Sequence, residues 1–317
     1  MITFLTSAKS FLDPVGQNQL RAIRSWMQAA PDAEIILYGR SDGAEHVCRD
    51  PQISYIPNIK SSPSGAPYFN AIASHASKHA KYDLQIYLNC DILLTSSILE
   101  ALAKVNFPKY LIVGQRIDLT DGVVIDVHSE DYLLKLKEIA SYGKATLHSP
   151  GAMDYFVFQR GMWQGLKPLI IGRAGYDSAL VAHCLREGIP IIDATLSVLA
   201  LHQFHEYGHV GGGQKEISYG SEAEQNKRLH GILHNGPNTA DAGWILKGNQ
   251  LIPTQCRGDT LRQLEIYIRF VLRIGPTWMV LRALWRFLVA TGIYTPPSMN
   301  IQDVISAHLE VSSFVQR

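Results

Sequence analysis

The residues with the clearest chemical potential lie at the end of an apolar run. Residues Leu84–Leu88 are followed by Asn89-Cys90-Asp91, and the chain then becomes apolar again. An aspartate at the carboxyl end of a buried strand lies where open α/β sheets bind their ligands, and its carboxylate is a hard ligand for a divalent cation. The alternative is a turn-forming or helix-capping aspartate, because Thr95-Ser96-Ser97 could begin a helix. We therefore treat Asp91 as the first candidate metal ligand.

A second candidate segment is rich in histidine and lies late in the chain. His202, His205 and His209 fall within eight residues, with Glu206 among them and a glycine run at 211–213. Imidazole is a good ligand for manganese or zinc. The three histidines could also supply the protein ligands of a hydrolytic zinc site with one open position. The alternative is a loop of solvated histidines, which the glycine run favours.

Polar residues follow several of the apolar runs that we predict to be strands. Thr6, Ser7 and Lys9 end the first run, Gly39 and Arg40 end the second, and Asn89 ends a later one. In a parallel sheet these ends line one crevice. Hydroxyls and cationic side chains there suit a nucleotide diphosphate, although polarity is also an ordinary property of loops.

The elements that would position these residues alternate between strand and helix. We predict strands at 2–6, 34–38, 84–88, 110–114, 155–158 and 189–193, and helices at 16–30, 68–79 and 175–187. This alternation predicts an α/β fold with a mostly parallel sheet flanked by helices.

The composition is that of an ordinary globular protein. The 317 residues, 46% hydrophobic and 18% charged, can form a full core, and a net charge of +1 gives no reason to expect a nucleic-acid partner. The four cysteines lie far apart without CxxC spacing, so neither a zinc ribbon nor a disulfide framework is indicated. The first residues lack the basic region of a signal peptide. We therefore expect a cytoplasmic protein.

The order of these features resembles the GT-A fold of nucleotide-sugar glycosyltransferases, over roughly residues 1–235. The resemblance is carried by the strand-first nucleotide site, the shortened Asp-x-Asp motif Asn89-Cys90-Asp91 and the late histidine loop. It implies that Asp91 and His202 hold Mn²⁺ or Mg²⁺ against the two phosphates of the donor. Residues 200–204 are similar to the His-Phe loop of the glycogenin-like retaining branch, but the Lys-Pro-Trp that often follows there is absent. Asn89 replaces the first aspartate of the motif, which removes one negative charge or loosens the metal.

The same resemblance implies further site residues. Asp154 lies in the segment that touches the donor sugar, and Asp177 begins a helix near the acceptor, so both are catalytic candidates. Asn70 resembles a donor-side asparagine, and Arg116 and Arg173 could assist with phosphates or sugar hydroxyls. The alternatives are helix capping for Asp177, helix capping or simple exposure for Asn70, and ordinary surface exposure for the arginines.

The expected activity is a metal-dependent, hexosyltransferase-type glycosyltransferase of polysaccharide biosynthesis. It would move a sugar from a nucleoside diphosphate sugar to a glycan or lipid-linked acceptor, with inversion or retention left open. One alternative is a zinc hydrolase using His202, His205 and His209. Another is a non-catalytic module that binds nucleotide sugars or glycans.

The carboxyl-terminal segment, residues 236–317, has a different character and is predicted to be helical. Residues 260–294 are apolar with five interspersed arginines, and Gly275-Pro276 divides them into two helices. Charge interrupts them too often for a membrane span. They could lie on an anionic membrane surface, at the inner face of the membrane, or pack on the catalytic domain or a second subunit of a homo-oligomer.

Overall fold

The computed structural model describes most of the chain. The residues described are 1–12, 14–205, 213–232, 236–248, 250–254, 260–275, 277–295 and 298–315.

Strands within these ranges form two sheets. In chain order they are β1 (Thr3–Ser7), β2 (Glu34–Tyr38), β3 (Ile53–Ile56), β4 (Leu84–Leu88), β5 (Ile92–Leu94), β6 (Leu111–Val113), β7 (Ile117–Leu119), β8 (Ala145–Leu147), β9 (Tyr155–Gln159), β10 (Ile191–Asp193), β11 (Ala200–His202), β12 (Trp244–Lys247) and β13 (Gln250–Pro253).

The larger sheet has nine strands in the order β13-β12-β10-β6-β9-β4-β1-β2-β3. Its pairs are parallel except where β9 lies between β4 and β6 and where β13 closes one edge on β12. The predicted fold class, an α/β protein with a mostly parallel sheet, is confirmed.

The smaller sheet brings distant parts of the chain together. Its strand order is β5-β11-β7-β8, with β11 antiparallel to β5 and parallel to β7. The register places His202 opposite Ile92 on one side and opposite Asp118 on the other.

Helices cover the sheets and continue beyond them. The α-helices are α1 (Pro14–Ala29), α2 (Ala44–Val47), α3 (Phe69–His79), α4 (Ser97–Leu102), α5 (Tyr132–Ser141), α6 (Tyr176–Arg186), α7 (Gly213–Tyr219), α8 (Ser221–His230), α9 (Thr260–Ile266), α10 (Trp278–Ala290) and α11 (Ile301–Val315). A short 3-10 helix spans Thr239–Asp241, and a π-helical segment, Tyr267–Leu272, follows α9 directly. The three helices predicted at 16–30, 68–79 and 175–187 correspond to α1, α3 and α6. None of the helices in the described ranges combines the length and the hydropathy of a membrane-spanning segment.

Apolar side chains fill both faces of the large sheet. Successive residues of a strand point to opposite faces, and Phe4 belongs to one buried cluster while Leu5 belongs to the other. On the first face Phe4 stacks on Trp26, with ring centroids 5.6 Å apart. On the second face Phe69 packs edge-on against Tyr87 at 5.3 Å. The strands of a sheet that is buried on both faces are apolar throughout. These strands could therefore be predicted from the sequence as unbroken apolar runs.

The segment after residue 235 differs from its prediction because it is not helical throughout. β12 and β13 lie in it, and β12 pairs in parallel with β10, so this part of the chain extends the main sheet. Each strand has only four residues, which is too short for a clear period-2 pattern. The helices that follow confirm a carboxyl-terminal helical part, and the domain boundary at 235 stays a prediction.

Candidate active site

Three side chains converge at the carboxyl end of β4. One ligand atom each from Asp91, His202 and His205 lies within 4.8 Å of the others. The Oδ2 atom of Asp91 is 3.0 Å from Nε2 of His205 and 3.9 Å from Nε2 of His202. The other carboxylate oxygen, Oδ1, is buried and has no hydrogen-bond partner among the described residues. A buried, unpaired carboxylate oxygen beside two imidazoles fits a bound divalent cation.

Strand pairing accounts for this convergence. β5 begins directly after Asp91, and its antiparallel pairing with β11 sets Ile92 opposite His202. Gln203 strengthens the junction, since its backbone N–H and its side-chain Nε2 both donate to the carbonyl oxygen of Asp91, at 3.3 and 3.1 Å. Trp26 of α1 donates its indole N–H to the carbonyl of Ile92 at 2.7 Å. The two segments that carry the ligands are therefore fixed by backbone contacts.

The charge state of Asp91 is set by opposing effects. Burial raises the pKa of its carboxyl group, but the hydrogen bond from His205 and the charges of His202 and Lys9 outweigh burial and hold the pKa below its usual value. The Nζ of Lys9 lies 3.6 Å from Asp91 Oδ2 and 3.3 Å from His205 Nε2. Asp91 is therefore ionised at neutral pH, as a metal ligand must be.

A second carboxylate, Asp118, orients His202. Its Oδ1 lies 3.3 Å from Nδ1 of His202 and accepts a hydrogen bond from Nε of Arg116 at 2.7 Å. Burial raises the pKa of Asp118, but the bond to His202 and the charge of Arg116 produce a net lowering. An ionised Asp118 favours a proton on Nδ1 of His202, so that the nitrogen that gives up its proton to bind a metal is Nε2, which faces Asp91. Asp118 was not predicted from the sequence, although it stands two residues after Arg116, the spacing that places alternate residues of an extended chain on one side.

A network continues from Arg116 to the predicted catalytic residue Asp154. The Nη1 of Arg116 donates to Oδ2 of Asp154, and Nδ2 of Asn89 donates to Oδ1 of Asp154 at 2.6 Å. Antiparallel pairing of β4 with β9 sets Asp154 beside Asn89, whose backbone N–H donates to the Asp154 carbonyl at 3.0 Å. Asn89, the residue that departs from the Asp-x-Asp pattern, thus holds a second carboxylate in place.

Asp177, the other predicted catalytic residue, is half-buried in the first turn of α6. Its Oδ1 accepts the N–H of Ser178 at 2.8 Å. Burial, together with repulsion from the nearby Asp154 carboxylate, raises the pKa of Asp177 to about 7. The buried hydroxyl groups of Tyr87 and Tyr176 have no hydrogen-bond partner among the described residues, and both are close enough to Asp154 to feel its charge. Buried polar groups without partners mark a place for a ligand or water.

The residues predicted from the first two strands lie on the same sheet edge. The hydroxyl of Thr6 is buried and donates to the carbonyl of Leu88 at 2.7 Å, so it joins β1 to β4. Ser7 ends β1, opposite Tyr38 of β2. Gly39 follows with φ +88°, a conformation that favours glycine, and a Cβ there would come within 2.9 Å of Pro67. Arg40 is exposed beside it.

Neither Asn70 nor Arg173 has a hydrogen bond or ion pair with the network around Asp91 and Asp154 in the described part of the chain. Asn70 is in the first turn of α3, and its buried Oδ1 has no hydrogen-bond partner in the part of the chain described. Arg173 donates from Nε to Glu222 of α8 at 2.8 Å and from Nη2 to Ser64 at 3.1 Å. Arg173 thus ties the loop around Ser64 to α8, a contact that sequence reasoning did not anticipate. A nucleotide-sugar role for either residue stays a prediction.

The alternative site of three histidines is only partly described. His209 and Glu206 lie outside the described residues. His202 and His205 do come together, and Asp91 supplies the third ligand atom of the set.

A cavity of about 1010 Å³ lies beside this network. Gln115 and His148 line its near wall, and His148 Nε2 is 3.7 Å from Oδ2 of Asp118. The lining also includes Trp285 of α10 and Asp303 and Glu310 of α11. The carboxyl-terminal helices therefore help to form a cavity that reaches His148, the neighbour of Asp118.

Comparisons with known proteins give resemblance in structure alone. No protein-family model matches the chain, and no curated protein matches it. Among solved structures, the mannosyltransferase PcManGT from Pyrobaculum calidifontis, in complex with GDP-Man and Mn²⁺, is 12% identical, with 65% of this chain and 58% of that chain covered and a TM-score of 0.41. Glucosyl-3-phosphoglycerate synthase from Mycobacterium tuberculosis, in complex with Mn²⁺, UDP and phosphoglyceric acid, is 12% identical, with 74% and 80% covered and a TM-score of 0.40.

A third similar structure is S. aureus TarS 1-349 in complex with UDP-GlcNAc. It is 10% identical, with 87% of this chain and 74% of that chain covered and a TM-score of 0.43. The alignment with another TarS 1-349 structure spans 57% of that fragment. Each TM-score is below 0.5 and each identity below 25%, so the function of this chain has to be argued from its own fold and site.

Proposed function

We propose that this protein is a metal-dependent GT-A type glycosyltransferase that uses a nucleoside diphosphate sugar as donor. The observation that carries the proposal is the convergence of Asp91, His202 and His205 within 4.8 Å at the carboxyl end of a mostly parallel sheet. In open α/β sheets this edge is the ligand-binding edge. The same edge carries Ser7 and Gly39, where a nucleotide would approach.

The ligand set indicates which cation the site would hold. Asp91, His202 and His205 offer one carboxylate and two imidazoles. Imidazole nitrogen favours Mn²⁺ over Mg²⁺, which prefers oxygen ligands and water. When bound, such a cation would stabilise the negative charge that develops on the departing diphosphate.

The remaining residues bind and orient the reactants. Lys9, at the rim of the ligand set, and Arg40 would pair with donor phosphates. Arg116 and Asn89 each donate a hydrogen bond to the Asp154 carboxylate and hold it in place, so that its oxygens can accept further hydrogen bonds from hydroxyl groups of the donor sugar. A fixed acceptor of this kind positions the anomeric carbon for attack.

Asp177 is our candidate for the base that removes the proton from the acceptor hydroxyl. A general base works best when its pKa is near the operating pH, and burial brings the pKa of Asp177 to about 7. A base of this kind is what an inverting transfer requires, and Asp177 is therefore the residue on which stereochemistry depends.

The cavity beside His148 would receive the acceptor. Its wall combines the ring of Trp285 with the carboxylates of Asp303 and Glu310. Aromatic faces pack on the apolar faces of sugars, and carboxylates accept hydrogen bonds from hydroxyl groups. A glycan, free or lipid-linked, fits this lining.

Release of nucleoside diphosphate from a panel of nucleotide sugars tests the proposal. UDP-glucose, UDP-GlcNAc and GDP-mannose would be incubated with the purified chain in the presence of Mn²⁺, Zn²⁺ or EDTA. We expect Mn²⁺-dependent release from at least one donor, no release in EDTA, and a loss of at least about 100-fold in Asp91→Ala. Asp121→Ala, an exposed aspartate outside the network, is the matched control and should keep full activity.

Two other outcomes would favour the rival functions. Binding of donors without any turnover would identify a non-catalytic nucleotide-sugar module. Hydrolysis that requires Zn²⁺ in a protein with no affinity for nucleotides would identify a hydrolase, because one carboxylate and two imidazoles also suit zinc.

A further inference from the structure

The outer face of α10 is apolar and exposed. We define this outer face as Met279, Val280, Ala283, Leu284 and Phe287, which recur at helical spacing. Val280 is 71% exposed, Phe287 59% and Met279 56%, and no residue of α10 is buried. Single exposed apolar residues are common, but a continuous stripe of large ones marks a surface that contacts something else.

The apolar surface continues beyond α10 onto the segments that flank it. Leu272 and Ile274 precede α10 and Ile293 follows it, with exposed fractions of 46%, 50% and 70%. A stripe extended at both ends is large enough to serve as a docking surface rather than an isolated patch.

The charge around the outer face has one sign. Residues 266–302 contain four arginines, at 269, 273, 282 and 286, and no aspartate or glutamate. Arg286 is exposed on α10 beside Phe287, and Arg273 is exposed just before α10 begins. An amphipathic helix with large apolar residues and arginine at its margin is typical of helices that lie in the interface of a membrane.

The helix α9, the π-helical segment Tyr267–Leu272 and the helix α10 form a helical hairpin, in which α10 packs against α9. The inner side of this hairpin is already held by the body of the protein. Arg262 donates two hydrogen bonds to Asp241, at 2.8 and 2.7 Å. Glu265 lies 3.8 Å from guanidinium nitrogens of both Arg269 and Arg282. Phe270, at 1% exposure, is buried against the second core cluster. Because the inner side makes the contacts with the body of the protein, the outer face is left without a partner in the described part of the chain.

We propose that the outer face of α10 docks on an anionic membrane surface. Its apolar residues would enter the boundary between headgroups and acyl chains, and Arg273 and Arg286 would pair with lipid phosphates. A second copy of the chain fits less well, because a two-fold interface through α10 would bring like-charged arginines together across it. The proposal is independent of the proposed catalytic function, since no residue of the outer face contacts the site.

Vesicle cosedimentation of the full chain tests this docking. The probes are vesicles of phosphatidylcholine alone and of phosphatidylcholine mixed with phosphatidylglycerol. We expect the protein to sediment with the mixed vesicles, and Val280→Asp combined with Phe287→Asp to lower the partition coefficient at least about tenfold. The matched control is Val124→Asp combined with Leu134→Asp, which changes two exposed apolar residues elsewhere (68% and 61% exposed) and should leave binding unchanged.

A variant with two reversed charges measures the electrostatic contribution to membrane binding separately from the apolar contribution. Arg273→Glu with Arg286→Glu should lower binding to the mixed vesicles by at least about tenfold, since each basic residue near an anionic surface contributes about fivefold. Arg24→Glu with Arg49→Glu, two exposed arginines away from the hairpin, is the control.

Several outcomes would overturn the proposal. One is the absence of the wild-type protein from the mixed-vesicle pellet. Another is a concentration-dependent dimer, seen by light scattering, that Val280→Asp with Phe287→Asp dissociates, because it would assign the outer face to a second copy. Mn²⁺-dependent release of nucleoside diphosphate, measured without vesicles, should be the same in all of these variants. Absence of that release from the wild-type protein would count against the catalytic proposal and not against membrane docking.

Discussion

At the scale of single residues, the site is a continuous chain of charged and polar contacts. It runs from Asp91 through His202, Asp118 and Arg116 to Asp154. Each carboxylate in it is compensated by an imidazole or a guanidinium, so several charges can be held close together at low exposure. These contacts join the predicted metal ligands to the predicted sugar-binding carboxylate. A substitution of one member should therefore alter the position or charge of its neighbour.

Asp118→Asn tests how His202 is oriented. The amide is neutral and can present its NH₂ group to Nδ1 of His202, which would favour the wrong tautomer. We expect the affinity for Mn²⁺ to fall about 10- to 100-fold, as is typical when the partner of a metal-binding histidine is lost. Isothermal titration with Mn²⁺ measures this, with the exposed Asp121→Asn as control. Unchanged affinity would show that Asp118 does not orient the ligand.

The pH dependence of the reaction tests Asp177 as the base. Its pKa is raised to about 7, chiefly by burial, so the carboxylate is protonated and inactive below that pH and ionised above it. The rate of sugar transfer should therefore rise with pH through about 7. In Asp177→Asn the rate should fall about 100- to 10,000-fold and lose this dependence, while Mn²⁺ affinity stays the same. A rise through pH 7 that persists in the variant would assign the titration to another group.

The same pKa shift predicts an effect on stability. Burial raises the pKa of Asp177 from 3.8 to about 7, so between these values the folded state binds more protons than the unfolded state. The free energy of unfolding then falls as pH rises through that interval, and the loss is complete above about 7. Above pH 7, Asp177→Asn should be more stable than wild type by roughly 1 to 3 kcal/mol. Urea denaturation on both sides of pH 7 measures the difference, and equal stability at high pH would contradict it.

At the scale of elements, the small sheet decides where the site forms. β11 pairs with both β5 and β7, and so brings His202 between the strand that follows Asp91 and the strand that carries Asp118. The helix α1 packs on β5 from the other side through Trp26. The site is therefore supported by hydrogen bonds between elements that are far apart in the chain.

Trp26→Phe tests the support from α1. Trp26 is fully buried, and its indole N–H is bonded to the carbonyl of Ile92 at 2.7 Å. The change removes this hydrogen bond and leaves space beside Phe4. We expect the free energy of unfolding to fall by about 1 to 3 kcal/mol. Trp244→Phe, a change at a partly exposed tryptophan, should cost less, and equal effects in urea denaturation would contradict a special role for Trp26.

At the scale of the whole molecule, the carboxyl-terminal part belongs to the body. β12 continues the large sheet next to β10, and Ile266 and Phe270 are buried in the second core cluster. The helical hairpin therefore extends from the core, with one side held and the outer face of α10 exposed.

Truncation tests this integration. A chain ending at 235 loses β12 and leaves β10 as an uncovered edge strand, which promotes aggregation. We expect this fragment to lack a single cooperative thermal transition, whereas the full chain unfolds cooperatively. A fragment ending at 254 keeps the complete sheet and should retain more secondary structure by circular dichroism. A cooperative transition in residues 1–235 at the full-chain temperature would support the predicted domain boundary.

The strands and helices with a clear local pattern could be predicted from the sequence. Strands such as β1, β2 and β4 are buried on both faces, so each reads as an unbroken apolar run, and α1, α3 and α6 show helical spacing. Asp91 and His202 stood out because polar residues at the end of an apolar run are chemically conspicuous. β12 and β13 were not recognised because four residues give no clear period.

The sequence by itself therefore determined the α/β class, the main strands and the residue types able to bind a cation. Only the tertiary structure decided which of those residues meet. Asp118, His205 and the Arg116–Asp154 pair became part of one site through the pairing of β11 with β5 and β7 and of β9 with β4. The physical reason is that the apolar pattern of a strand or helix is contained in consecutive residues. Which strands pair with each other depends instead on the packing of segments that are far apart in the chain.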